Sequence, residues 1–155
     1  MGRIANLIGK IFTIPLENNG FSVGLIARQN KNIALGYFFD KYYKKCPLSI
    51  SECLINKNHI CLIGLFGILG ITKKEWKIVD NLPFFNKNDW KIPEFEMQDP
   101  LLEKVYWKIK YNDDLDEENR IKINEKEAKY LWSYGIHGYG IIEEILNKKI
   151  IRNIK

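Results

Sequence analysis

The sequence is short of several things that usually announce a function. It has only two histidines, His59 and His137, and three cysteines, Cys46, Cys53 and Cys61. The cysteines form an odd set spaced by seven and eight residues, which matches neither a zinc-ligand pattern nor a secreted disulfide framework. Reduced thiols are expected, with no metal. No apolar run reaches the roughly twenty residues that a membrane-spanning helix needs. The longest, Ile60 to Ile71, has twelve residues and three glycines, and reads as a buried strand leading into a turn. The opening MGRIANLIGKIF holds neither a continuous apolar stretch nor a small-residue cleavage site, so export is not expected and a cytoplasmic location is.

Arginine is scarce as well. The chain carries 24 Lys+Arg against 19 Asp+Glu, a net charge of +5, and a basic total invites a nucleic-acid reading. Only Arg3, Arg28, Arg120 and Arg152 offer the planar fork that grips phosphate in two places, and the lysines are scattered. The charge is also uneven. Between Glu94 and Glu118 nine acids face three lysines, a local net of −6 that leaves +11 for the rest. The rival reading is a small β-barrel nucleic-acid-binding module, resting on Lys41, Tyr42, Tyr43, Lys44 and Lys45.

What is present is a strand-rich pattern in a chain of 155 residues, a length that fits a single domain over residues 1–155. Lys10 to Leu16 is β-branched and aromatic, and Asn19-Gly20 supplies a tight-turn signal. Phe21 to Arg28 sets Phe21, Val23, Leu25 and Ala27 against Ser22, Gly24, Ile26 and Arg28, the pattern of a strand buried mainly on one face. Ile33 to Asp40 follows a polar turn, giving three consecutive antiparallel strands. Gly24 and Gly36 allow a curled sheet.

Ser49-Ile50-Ser51-Glu52 has the form of a capping box, which predicts a short helix. His59 to Leu65 reads as an inner strand and Trp76 to Val79 as a fifth. Pro83, Pro93 and Pro100 mark a stretch that wraps the sheet with Phe84, Phe85, Trp90 and Phe95 tucked inward.

Val105 to Tyr111 alternates as a strand, Asn112 to Asn119 is an acidic turn, and Arg120 to Ile123 is a short extended piece. Asn124 caps a helix with Glu127 at the reciprocal position, ending near Trp132. Tyr134 to Gly140 reads as a loop. Ile141 to Ile151 fits an amphipathic helix, with an edge strand as the alternative for its first half. The fold expected is α+β: a mainly antiparallel, strongly bent or barrel-like sheet with one or two C-terminal helices.

The run Gly9-x-Ile11-Phe12-x-Ile14-Pro15-Leu16, a turn, then Phe21-x-Val23-Gly24-x-Ile26 resembles the opening of the immunity protein 26 family. Trp76-x-Ile78-Val79, Trp90-x-x-Pro93, the acidic tract near Asp113 and Gly138-x-Gly140-x-Ile142-Glu143 are similar to its later blocks. The likeness runs from about residue 9 to residue 146 and rests on packing and turn residues. It departs at Lys10, where the family often has an acid, and in the more apolar centre around Ile60 to Ile71. The resemblance implies a bacterial immunity protein of a polymorphic toxin system, made beside a toxin and binding it stoichiometrically, without cofactor or catalysis.

Nothing in the residues points to bond chemistry. His137 sits in a glycine-rich loop without a nucleophile motif, which makes a hydrolase the weaker third option. Gly135-x-x-Gly138-x-Gly140 reverses the dinucleotide fingerprint and is explained by turns. Grouped carboxylates on a basic chain do suit the steering of a basic partner. Asp113, Asp114, Asp116, Glu117 and Glu118 are therefore the expected contact residues for a cognate toxin domain. Trp90, between prolines, is the tryptophan expected to join them.

Overall fold

A computed structural model describes residues 4–152 of the chain; Arg3 lies outside the described residues. In chain order the strands are β1 Lys10–Pro15, β2 Phe21–Asn30, β3 Ile33–Phe39, β4 Ile60–Gly67 and β5 Ile78–Asn81, then β6 Phe95–Gln98, β7 Tyr106–Tyr111, β8 Glu117–Ile123, β9 Trp132–Ser133 and β10 Ile136–His137. The helices are α1 Leu69–Thr72, α2 Glu125–Ala128 and α3 Tyr139–Leu146, the last running on as a wide turn over Asn147–Ile151. The strands form two sheets, ordered β10-β4-β3-β2-β1-β5 and β8-β7-β6-β9. Antiparallel pairs dominate, and the two-residue strands β10 and β9 pair parallel with β4 and β6. The α+β, strand-rich class with a C-terminal helix is the one expected. The sheets are open, so the barrel alternative does not apply.

The first sheet is buried on both faces, which corrects the one-sided reading of β2. Phe12, Ile14, Ile26, Phe38, Leu62 and Phe66 pack on one side with Trp76 and with Ile142, Leu146 and Ile150. Ile11, Val23, Leu25, Leu35, Tyr37, Phe39 and Leu65 pack on the other, beneath Trp90 and Phe95. Alternation concealed this because two of the three residues on the second face of β2, Ser22 and Gly24, are small and only Ile26 is a large apolar one. Gly24 leaves room for the Phe12 ring, since a Cβ there would lie 2.5 Å from Phe12 Cζ. Gly36 does the same for Phe66 and Phe38.

A bulge interrupts β2. Ile26 opposes Gly36 and Arg28 opposes Leu35, leaving Ala27 as the extra residue. Directly opposed residues share a face, so the bulge moves Arg28 from the face of Ser22, Gly24 and Ile26 to that of Leu35. Bulges re-aim side chains in this way.

Several local expectations need correcting. In the β1–β2 turn the positive φ angles fall at Asn18 and Asn19. Gly20 is extended and serves close approach instead, with the Tyr42 ring lying where its Cβ would be. Ser49 caps nothing, and Ile50–Glu52 is a single 3-10 turn in which Glu52 accepts the Leu48 N–H at 2.7 Å. The Trp76 to Val79 strand begins at Ile78, and Trp76 is a core residue. Of the aromatics expected inward, Trp90 and Phe95 are buried but Phe84 is fully exposed. Glu117 and Glu118 belong to β8, not to a turn. The Asn124–Glu127 capping box forms as expected, but its helix stops at Ala128 and Trp132 enters β9. Ile141 lies in α3, which selects the helical alternative.

The tight fit at Gly24 has a measurable consequence. Gly24→Ala should destabilise the protein by about 1–3 kcal/mol, the usual cost of overpacking a core. Urea unfolding at neutral pH checks this, with Gly67→Ala, where a Cβ meets nothing within 4 Å, as the control.

Candidate functional site: an acidic hairpin tip held by a buried arginine

The β7–β8 hairpin turns through Asn112 to Asp116. Asn112 Oδ1 accepts the N–H of Asp114 at 2.9 Å and of Asp116 at 3.0 Å, the use of a short amide side chain that stabilises turns. Leu115 takes φ +62 in this turn and packs inward against the core below Trp90. Asn30 in β2 donates to the Asp114 carbonyl at 2.8 Å, so the tip is tied to the first sheet.

The stronger tie is Arg28, which is 5% exposed. Its Nε donates to Asp113 Oδ1 at 3.0 Å, Nη1 to the Ala27 and Trp90 carbonyls at 2.8 and 3.1 Å, and Nη2 to the Lys87 carbonyl at 3.2 Å. Lys87 Nζ reaches Asp113 Oδ2 at 2.8 Å. Two cations on one carboxylate hold the Asp113 carboxyl below the usual carboxylate range, the Lys87 and Arg28 hydrogen bonds being the main causes. A buried guanidinium is tolerable only when its donors are met, and here a strand, a turn and a hairpin tip meet them.

The five acids therefore have different roles. Asp113 is held by Arg28 and Lys87. Glu117 is held by Arg120, with oxygens 2.7 and 3.1 Å from the guanidinium, which lowers its carboxyl as well. Glu118 faces Lys110 at 4.0 Å. Asp114 and Asp116 are exposed and have no cation partner among the described residues. Beside Asp116 a cleft of about 400 Å³ opens between the hairpin and the first sheet, with Ile33, Leu65, Leu115 and Ile136 in its lining. Ile136 is 57% exposed. The arrangement puts the unpaired Asp116 at a cleft of mixed lining that also includes Lys31, with the unpaired Asp114 two positions before it on the hairpin tip.

Trp90 is more enclosed than the surface position expected of it. It is 6% exposed, with Tyr37 and Phe39 edge-on to its ring at 5.2 and 6.1 Å. The Tyr37 hydroxyl donates to the neighbouring Lys91 carbonyl, and burial pushes its pKa up to about 12. The surface suggested for nucleic-acid stacking is dismantled too. Tyr43 is buried, accepts the Leu54 N–H at 2.7 Å and pairs its backbone with Phe21. The Tyr42 ring covers Gly20.

His137 is half-buried in β10, and desolvation lowers its pKa. His59 pairs with Asp40 at 3.1 Å. Burial raises the Cys53 and Cys61 thiols to about 11 each, so both stay protonated at neutral pH. Among the described residues no three His, Cys, Asp or Glu side chains are grouped to hold a metal, and no helix is long and apolar enough to cross a membrane.

The residues that sequence reasoning missed are Arg28 and Lys87. The available signal was a lone arginine closing an otherwise apolar strand, a position that demands a buried counter-ion.

The family model for immunity protein 26 matches residues 8–107. The chain belongs to the immunity protein 26 family. Neither a curated protein nor a solved structure matches it. The matched segment runs from before β1 into β7, so it contains Arg28, Lys87 and Trp90, whereas the hairpin tip lies beyond it.

Asp113→Asn should lower stability by about 1–2 kcal/mol, the value of charged hydrogen bonds reduced for the exposure of the carboxylate. Because the folded-state pKa of Asp113 is depressed, its contribution is present above the unfolded carboxylate pKa near 4 and is lost as pH falls through the lower folded value. Urea unfolding between pH 7 and pH 2 should show the wild type and the Asn variant converging at the acid end.

Proposed function

We propose that this protein neutralises a bacterial toxin by forming a stoichiometric complex with it in the cytoplasm, and that the acidic hairpin tip is part of the contact surface. Family membership supports the immunity role. The observation that carries the choice of surface is the pair Asp114 and Asp116, exposed and without a cation partner among the described residues, with Asp116 lining the cleft together with Ile33, Leu65, Leu115 and Ile136. The other three acids of the hairpin, Asp113, Glu117 and Glu118, are each engaged by a cation. The charge of Asp114 and Asp116 is available to a basic partner, and the anchored tip keeps it in one place, which reduces the ordering cost of binding. Inhibition of this kind works by occlusion and needs no cofactor, metal or reactive side chain. Asp113, Glu117 and Glu118 act in this reading by shaping and holding the tip.

The test is co-expression with the polypeptide encoded by the adjacent reading frame. Growth should be restored and a 1:1 complex recovered; continued growth arrest, or no complex from the purified proteins, would reject the reading. Within that complex, Asp114→Asn with Asp116→Asn should slow association about three- to tenfold at low salt and flatten its salt dependence, leaving dissociation little changed. Stopped-flow association at two ionic strengths measures this.

A further inference from the structure

The turn that Arg28 ties to the hairpin borders a second cleft, of about 490 Å³, whose lining includes Ile55, Lys57, Phe84, Asp89 and Trp90. Three features of it are unexplained by folding. The first is the Trp90 indole N–H. Trp76 and Trp107 donate theirs to the carboxylates of Glu143 and Asp99 at 2.9 and 3.0 Å. Trp90 is 6% exposed, yet its N–H meets no acceptor among the described residues. Among the described residues Ser22 Oγ is the unpartnered side-chain atom that is sealed from solvent, so the Trp90 N–H is open to solvent and to a partner.

The second is Phe84, fully exposed and at φ +57. A bulky side chain rarely adopts that backbone region, and residues held there cluster at binding sites. Its neighbour Phe85 packs against Gly9, whereas the Phe84 ring makes no aromatic contact among the described residues. The third is Lys57, whose ammonium lies 5.3 Å from the centre of the Trp90 ring. A cation and an unmet N–H donor thus belong to one indole, and an apolar knob stands at the rim.

We propose that this cleft docks a loop of the partner protein carrying a carboxylate next to an apolar side chain. The carboxylate accepts the Trp90 N–H and pairs with Lys57, while the apolar group packs on Phe84. Asp89 is also in the lining, so Lys57 is what makes room for the one carboxylate and a second acid on the loop is disfavoured. The inference rests on the reading that the chain binds a protein toxin. It adds a contact of opposite polarity: the partner presents cations to the hairpin tip and an acid to this cleft, both connected through Arg28.

The experiment uses the polypeptide of the adjacent reading frame as probe. Phe84→Gly and Phe84→Asn relieve the backbone, so the urea midpoint of the free protein should hold or rise, while the complex weakens about tenfold, as loss of an aromatic anchor does. Lys57→Met should weaken it about fivefold, in the range of a truncated charged contact. In the wild type, the Trp90 indole proton resonance should shift and its exchange slow on complex formation. If Phe84 and Lys57 variants bind within about twofold of wild type and the indole is unmoved, the cleft proposal is wrong, even where the Asp114 and Asp116 variants bind poorly. If the wild type forms no complex, the toxin-binding reading fails and this inference with it.

Discussion

The buried guanidinium of Arg28 is the constraint around which the rest of this surface is arranged. An arginine that is 5% exposed must find acceptors for its donors. Those acceptors come from three places distant in sequence: the strand that carries it, the 87–90 turn, and the tip of the β7–β8 hairpin. The bulge at Ala27 makes this possible by turning Arg28 toward the Trp90 side of the sheet. One extra residue in β2 therefore decides where an acidic loop more than eighty positions away is held.

Rigidity beneath that surface comes from the first sheet, buried on both faces. Phe12 stacks on Trp76 with ring centres 5.4 Å apart on one side, and Tyr37 and Phe39 brace Trp90 on the other. Aromatic pairs of this geometry each contribute about 0.5–1.5 kcal/mol beyond the area they bury. A platform of this kind suits binding, because loops fixed before the encounter lose less freedom in it. Several ionisable groups away from the tip are spent on structure: Glu143 satisfies Trp76, Asp99 satisfies Trp107, and Arg152 joins Glu17 to Glu144.

Much of the fold was legible. The first three strands and their order follow from alternation and turn residues, and the Asn124 capping box and the amphipathic run after Tyr139 are local signals that the structure keeps. The two-residue strands β9 and β10 were not legible, because a parallel bridge of two residues is made by its neighbour and leaves no periodicity of its own. The Ser49 to Glu52 capping pattern failed because Ile50 to Glu52 closes a single 3-10 turn and Glu52 bonds backward to Leu48. In the candidate site, the acidic tract was visible as composition, but its division into paired and unpaired carboxylates was not.

By itself the sequence determined the local matters: that the chain is strand-rich, where its turns fall, that its apolar run stays short of a bilayer, and which family it joins. Those depend on neighbours a few residues apart, whose periodicity and turn chemistry are written in order. The tertiary structure decided which charges survive. Asp113 is neutralised by Arg28 and Lys87, 85 and 26 positions away, while Asp114 beside it meets no cation. Charge neutralisation depends on distance in space, and a bulge that shifts one strand by a residue is enough to change which side chains are near.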